Sequence, residues 1–335
     1  MTQSFAAAAV AGPAVRLSAP RRILRAVAVL SCVPYLGLKA AWIAGSHVGI
    51  PEGSGLLDDR VGMAVINGLS VLVDSAVIVL ALVLTRPWGL RVPAWLPAFP
   101  MWVATGLLAP IMAGFPAQLV VRAFGGGSAS DQGHEPFLHE WVFTVVYSGF
   151  ILQGLALGGL FVLYARDRWG NLWRGRVREL PVGVVGPAHR ALAAVAAVLA
   201  LLPLTLHVLW ACGGTAGLSE GRAADRGGDF QILEAVYVLF LVAAVAGGFL
   251  LAFRRGRALP VAVPLALAWV GSGAAACWGG WLTLASLGGV EDIADRPTPL
   301  MYLAYAGQML VGFLVAAIGA YYFAERSARA ARRTA

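Results

Sequence analysis

Eight long apolar runs dominate this 335-residue chain, near 24–46, 61–85, 98–122, 138–164, 188–212, 230–253, 261–286 and 300–324. Each is long enough to cross the hydrocarbon core of a bilayer, which takes about 20 helical residues. Lipid offers no hydrogen bonds, so a spanning segment must satisfy its own backbone, and only helices or a closed barrel do so. The runs are continuous and do not alternate in polarity, which argues against a barrel. Charged residues make up only 13% of the chain, against roughly 25% in a soluble domain. Such a chain cannot cover itself with a water-facing surface. The expected fold is an all-α membrane protein of eight transmembrane helices.

The net charge of +8 suggests nucleic acid until its distribution is read. Basic clusters occupy alternate loops: Arg16, Arg21, Arg22 and Arg25; Arg86 and Arg91; Arg166, Arg168, Arg174, Arg176, Arg178 and Arg190; Arg254, Arg255 and Arg257; Arg326, Arg329, Arg332 and Arg333. The intervening loops carry acids: Glu52, Asp58 and Asp59; Asp131, Glu135 and Glu140; Glu220, Asp225 and Asp229; Glu291, Asp292 and Asp295. This is the positive-inside pattern. It places both termini in the cytoplasm of a bacterial cell and four acidic loops outside. The partner is the lipid bilayer, and nucleic acid is not one.

The two halves of the chain repeat each other. Trp42, Gly45, Gly49, Glu52 and Gly53 recur 168 residues later as Trp210, Gly213, Gly217, Glu220 and Gly221. Pro93, Pro97, Trp102, Val103 and Gly106 recur 167 residues later as Pro260, Pro264, Trp269, Val270 and Gly273. In the last spans Tyr147, Gly149 and Gly154 match Tyr305, Gly307 and Gly312 at an offset of 158. A duplicated unit of four spans returns to its starting side, so the two copies share one orientation. Their pseudo-two-fold axis should lie along the membrane normal, as in parallel-repeat transporters. The expected organisation is a cytoplasmic arm (1–23), a first four-helix repeat (24–164), a linker (165–187), a second repeat (188–324) and a basic tail (325–335). Trp169 and Trp173 in the linker read as an interfacial anchor. The pairs Gly45/Gly49 and Gly213/Gly217 read as G-x-x-x-G packing sites between first spans. Pro34, Pro110, Pro116 and Pro203 predict kinks.

Of the 25 basic residues, 24 are arginine and one is lysine, alongside abundant alanine and glycine. In that composition the chain resembles the multi-span integral membrane proteins of GC-rich actinobacteria. The resemblance covers no catalytic motif and implies no activity. Cys32, Cys212 and Cys277 show no paired spacing, so neither a disulfide framework nor a zinc site is indicated.

Ionisable residues inside spans cost about 2.5–3.5 kcal/mol each at the helix centre on insertion scales. Lys39 in the first span and Asp74 in the second lean toward each other, because helical side chains tilt toward the N-terminus and the two spans run in opposite directions. His207 occupies the position of Lys39 in the second copy, and Glu234 aligns with Asn67. Trp42 and Trp210 follow the two cations at i+3 and share their faces. These six residues, Lys39, Trp42, Asp74, His207, Trp210 and Glu234, form the candidate ion- or substrate-binding set. A buried cation–carboxylate pair also serves simply to pin a helical hairpin.

One string, DQGHEPFLHE at 131–140, carries His134, Glu135, His139 and Glu140, side chains with ligand chemistry for a divalent ion. Its histidines are five apart with Pro136 between them, whereas HExxH places both on one helix face. No resident cofactor is expected. Haem would need axial histidines on facing helices, and only His207 lies well inside a span. No Walker or GxSxG motif is present. The chain therefore reads as a small-molecule or ion permease with its site between the repeats. A membrane-embedded enzyme acting on a lipid or quinone at the outer face, through His134 and His139, is the alternative from another class. A non-catalytic partner of a membrane complex is a third.

Overall fold

The computed structural model describes residues 18–52, 54, 57, 60–125, 138–180, 186–224, 226–287 and 296–334. Among these the chain is helical, without strands. The first span consists of α1 (Ala19–Leu30) and α2 (Cys32–Ile43) in line. The others are α3 (Arg60–Thr85), α4 (Trp95–Ala123), α5 (Glu140–Trp169), α6 (Gly186–Ala211), then a short α7 (Glu220–Ala224), α8 (Gly228–Phe253), α9 (Ala262–Leu287) and α10 (Pro299–Thr334). Eight helical segments among the described residues are long and apolar enough to cross a membrane, and they coincide with the eight apolar runs.

Proline acts unevenly. The first span breaks at Ser31, three residues before Pro34, whose missing N–H leaves the Leu30 carbonyl without its helical donor. Pro110 and Pro116 lie inside an unbroken α4, and Pro203 inside an unbroken α6. Neighbouring helices in a bundle re-satisfy the freed groups, which is why spans tolerate proline. At its other end the chain departs from the expected tail. Helix α10 continues through Thr334, so the basic tail is helical up to that residue.

The helices meet in two ways. Within the second half, α8, α9 and α10 are knitted by small residues. A Cβ on Gly271 would stand 2.3 Å from the backbone nitrogen of Ala244, one on Gly247 the same distance from that of Ala268, and one on Gly312 2.4 Å from that of Ala276. Without a hydrophobic driving force between helices in lipid, such close backbone approach is what holds a bundle together. The first half is looser, and Gly37, Gly68 and Gly158 would each accept a Cβ with nothing within 4 Å.

Between the halves, α4 packs on α8 and α9. Trp102 Nε1 on α4 donates to Ser272 Oγ on α9 at 3.0 Å, and Trp269 Nε1 on α9 donates to Thr105 Oγ1 on α4 at 3.4 Å. Trp102 and Trp269 are 167 positions apart, and so are Thr105 and Ser272. Each indole also packs on a phenylalanine of a last span: Trp269 stacks on Phe161 with centroids 5.0 Å apart, and Trp102 lies 6.0 Å from Phe313. At the acidic face Arg122 of α4 forms an ion pair with Asp229 of α8.

The glycine pairs at the ends of the first spans are not helix–helix packing motifs. Gly45 and Gly213 have φ of 89° and 86°, Gly49 and Gly217 of 78° and 84°, in the left-handed region that glycine enters freely. They stop α2 and α6 and shape the turns that follow, each helix ending on matched bonds. The Gly45 and Gly213 N–H groups reach the Trp42 and Trp210 carbonyls at 3.0 Å.

The linker is docked. Val177 N–H donates to the Leu259 carbonyl at 3.0 Å and Val261 N–H to that of Gly175 at 3.1 Å. Leu172, Val177 and Leu180 are buried. Trp169 packs edge-on against Phe161 and Tyr164, and Trp173 lies against the core between α6, α9 and α10. Both tryptophans pack on protein while staying partly exposed.

Candidate functional site

Six side chains of the candidate set divide into two clusters, one in each half. The second-half cluster is the tighter. His207 stands four residues before the end of α6, and Glu234 two turns into α8. The two helices pack along each other, which brings His207 Nδ1 to 2.5 Å from Glu234 Oε2. Both groups are removed from solvent and lipid alike, with 0% and 4% relative exposure. Aromatic rings close the surroundings. Trp210, fully buried at i+3, meets the imidazole edge-on at 5.4 Å, and Tyr237, at i+3 from Glu234, lies 5.2 Å from it. Trp210 Nε1 is held by the Ala216 carbonyl at 3.0 Å, so the ring that shapes the site is itself fixed by the turn after α6. With Nδ1 on the carboxylate, His207 Nε2 is left buried without a partner.

The first-half cluster uses the same helices by position but a different arrangement. Tyr35, Lys39 and Trp42 sit at i−4, i and i+3 of α2, one above another on a single face. The Lys39 ammonium lies 5.0 Å from the Tyr35 centroid and 4.7 Å from that of Trp42. Asp74 of α3 is 4% exposed, interacts electrostatically with Lys39 and has the Gln153 side chain of α5 as its hydrogen-bond partner. Its Oδ2 is buried without a partner. Among the described residues Lys39 and Asp74 form no direct salt bridge. Two aromatic faces hold the ammonium. Trp42 Nε1 is fixed by the Val48 carbonyl at 2.7 Å, the counterpart of the Trp210 bond. Asn67, aligned with Glu234, is 2% exposed and bonds Met63 Sδ at 3.5 Å.

The clusters are separate, one on α2, α3 and α5, the other on α6 and α8. Tyr147 of α5 is within electrostatic range of both Tyr35 and Tyr237. Tyr35, Gln153 and Tyr237 belong to the site, and sequence reasoning passed over them in that role. The available signal was helical spacing: each tyrosine lies one turn from an intramembrane charge.

Of the metal-like string, His134 and Glu135 lie outside the described residues. His139 and Glu140 are exposed at the start of α5, and the His139 N–H donates to the Gly49 carbonyl at 2.9 Å. Among the described residues no group of three or more His, Cys, Asp or Glu side chains is gathered as metal ligands.

No protein-family model, curated protein or solved structure matches this chain. What it does has to be argued from its own geometry.

Proposed function

We propose that the protein is a small-molecule or ion permease of the bacterial cell membrane. Two four-helix repeats of one orientation would be related by a pseudo-two-fold axis along the membrane normal, with both termini cytoplasmic. The reciprocal Trp102–Ser272 and Trp269–Thr105 bonds across α4 and α9 support that symmetry, since a two-fold contact pairs residue i with j and j with i. The matched turns after α2 and α6 support it at a second place.

One observation carries the functional reading. Three titratable groups, Asp74, His207 and Glu234, are buried within spans, and two of them keep a buried polar atom with no partner, Asp74 Oδ2 and His207 Nε2. A hairpin pin needs no such atom, and leaving one unpaired costs about 1–3 kcal/mol. Intramembrane ionisable groups with open valence are the usual stations of ion and proton pathways. In this reading Asp74 and the His207–Glu234 pair bind and release a proton or cation. Tyr35, Tyr147 and Tyr237 line the ground between the halves where the solute passes.

The test uses the proton as probe. The full chain is reconstituted into liposomes holding a pH-sensitive dye, and a potassium diffusion potential is imposed. Wild type should carry protons inward, while Asp74→Asn and His207→Gln should reduce the flux at least tenfold with the protein still inserted. Equal flux in wild type, both variants and empty vesicles would remove the pathway.

A further inference from the structure

At the Arg-rich ends of α6, α8 and α10 two spaces adjoin. A polar cavity of about 40 Å³ is lined by Arg254, Arg326, Arg329, Glu325, Tyr322 and His189 among others. Beside it an apolar groove of about 460 Å³ is lined by Ala188, Ala191, Leu192, Val195 and Tyr321. His189 lines both, and its Nε2 is buried without a partner. The groove residues of α6 recur at i, i+3, i+4 and i+7, a single helix face. Two of them are alanines, which leave a channel that Tyr321 of α10 flanks. The groove covers about 10 Å of helix at 1.5 Å per residue.

The cavity is built for negative charge. Three arginines face one glutamate, and Arg329 already pairs with Glu325 at 2.8 Å. Arg254 has φ 53°, the one positive-φ residue other than glycine among the described residues. Glycine would take that turn without strain; Arg254 is one of the residues that line the cavity. Arg326 stands out beside its counterpart in the first half. Tyr164 and Arg168 recur 158 residues later as Tyr322 and Arg326, and both arginines lie over their tyrosines, 5.8 and 5.7 Å from the ring. Arg168 commits its other donors to the carbonyls of Gly89 at 3.3 Å and Val92 at 2.5 Å. Arg326 donates a hydrogen bond to Tyr322 Oη at 3.2 Å, and the residue lines the cavity.

We infer that cavity and groove together hold one diacyl anionic phospholipid, its phosphate against Arg254 and Arg326 and one acyl chain along α6. The cavity exceeds the roughly 10–15 Å³ that admits a single water. Basic pockets between spans on the Arg-rich side select anionic headgroups, whereas a zwitterionic lipid adds a cation that arginine repels. This site is apart from the buried charge clusters, and the inference holds whether or not the chain transports.

The test is lipid binding to delipidated full-length protein in detergent, read by native mass spectrometry. Phosphatidylglycerol should bind in preference to phosphatidylcholine of the same chains. Arg254→Gly and Arg326→Gln should each weaken phosphatidylglycerol about fivefold, and Ala191→Phe should weaken it by filling the groove. Glycine suits the φ of 53° at position 254, and thermal melting of each variant beside wild type distinguishes loss of binding from loss of fold. Equal binding of both lipids overturns the inference, as does undiminished selectivity in the Arg254→Gly, Arg326→Gln double variant. Inorganic phosphate that displaces phosphatidylglycerol at equal concentration would show an anion site with no lipid specificity, and overturns it too.

Discussion

Gly106 of α4 and Gly273 of α9 meet backbone to backbone across the two halves of the chain. A Cβ on Gly106 would stand 2.3 Å from the Gly273 carbonyl oxygen, and a Cβ on Gly273 would stand 3.2 Å from Gly106 Cα. The two are 167 positions apart in the sequence, so equivalent residues of the repeated pattern touch each other. A two-fold axis relating the halves, as proposed, would generate a contact of this kind.

Gly106→Ala should therefore separate α4 from α9. Its Cβ meets backbone, which cannot rotate away, and overpacking of this kind costs about 1–3 kcal/mol. Gly37→Ala, where nothing lies within 4 Å, should instead be neutral or stabilising by up to about 1 kcal/mol from helix propensity. Unfolding of the two variants in detergent, side by side, checks the contrast. Equal stability would mean that the close approach carries no energy.

Trp102→Phe and Trp269→Phe probe the same contact through hydrogen bonds. Each loses one indole donor, worth about 1 kcal/mol, and leaves a hydroxyl behind. Trp102 is the more buried and has the shorter bond, 3.0 Å against 3.4 Å. Its substitution should cost more, and the double variant should cost less than the sum if the two bonds act as one interface. Strict additivity in detergent unfolding would mean that the tryptophans act independently.

The spans were legible because hydropathy over 20 residues is a property of local composition. The repeated Trp, Gly and Pro positions were legible too. What those glycines do was not: G-x-x-x-G describes spacing, and only backbone dihedrals distinguish a packing face from the positive-φ turns at Gly45 and Gly49. Of the candidate site, the His207–Glu234 contact follows from rules about intramembrane charge and adjacent antiparallel spans. The Lys39 environment does not follow, because depth and tilt take no account of the aromatic faces competing for an ammonium. Tyr35 and Trp42 win it, with cation–π energies of about 0.5–2 kcal/mol each. The Tyr164/Arg168 and Tyr322/Arg326 match was open to reading at the offset already known for the last spans. Its use in two different ways appears only in three dimensions.

Replacing one member of the His207–Glu234 pair by leucine should destabilise the protein by about 3–5 kcal/mol, because the remaining partner is left buried and unpaired. The double variant His207→Leu, Glu234→Leu removes both polar groups. It should recover part of that loss, with a coupling energy above about 1 kcal/mol. Equilibrium unfolding in mixed detergent micelles gives all four corners of the cycle. Zero coupling would show that the 2.5 Å contact contributes nothing to stability.

Membrane orientation is tested by a thiol the chain already carries. Cys212 is exposed just beyond the end of α6, whereas Cys32 is buried and Cys277 half-buried. An exposed free thiol reacts with maleimides and a buried one does not. In the proposed orientation, with both termini cytoplasmic, Cys212 would lie outside the cell together with Glu52 and Glu220. A membrane-impermeant maleimide added to intact cells should therefore label wild type and leave Cys212→Ser unlabelled. Labelling that appears only after the membrane is opened would turn the molecule over. The termini and the arginines of α10 would then lie outside, and the lipid that meets Arg254 and Arg326 would come from the outer leaflet.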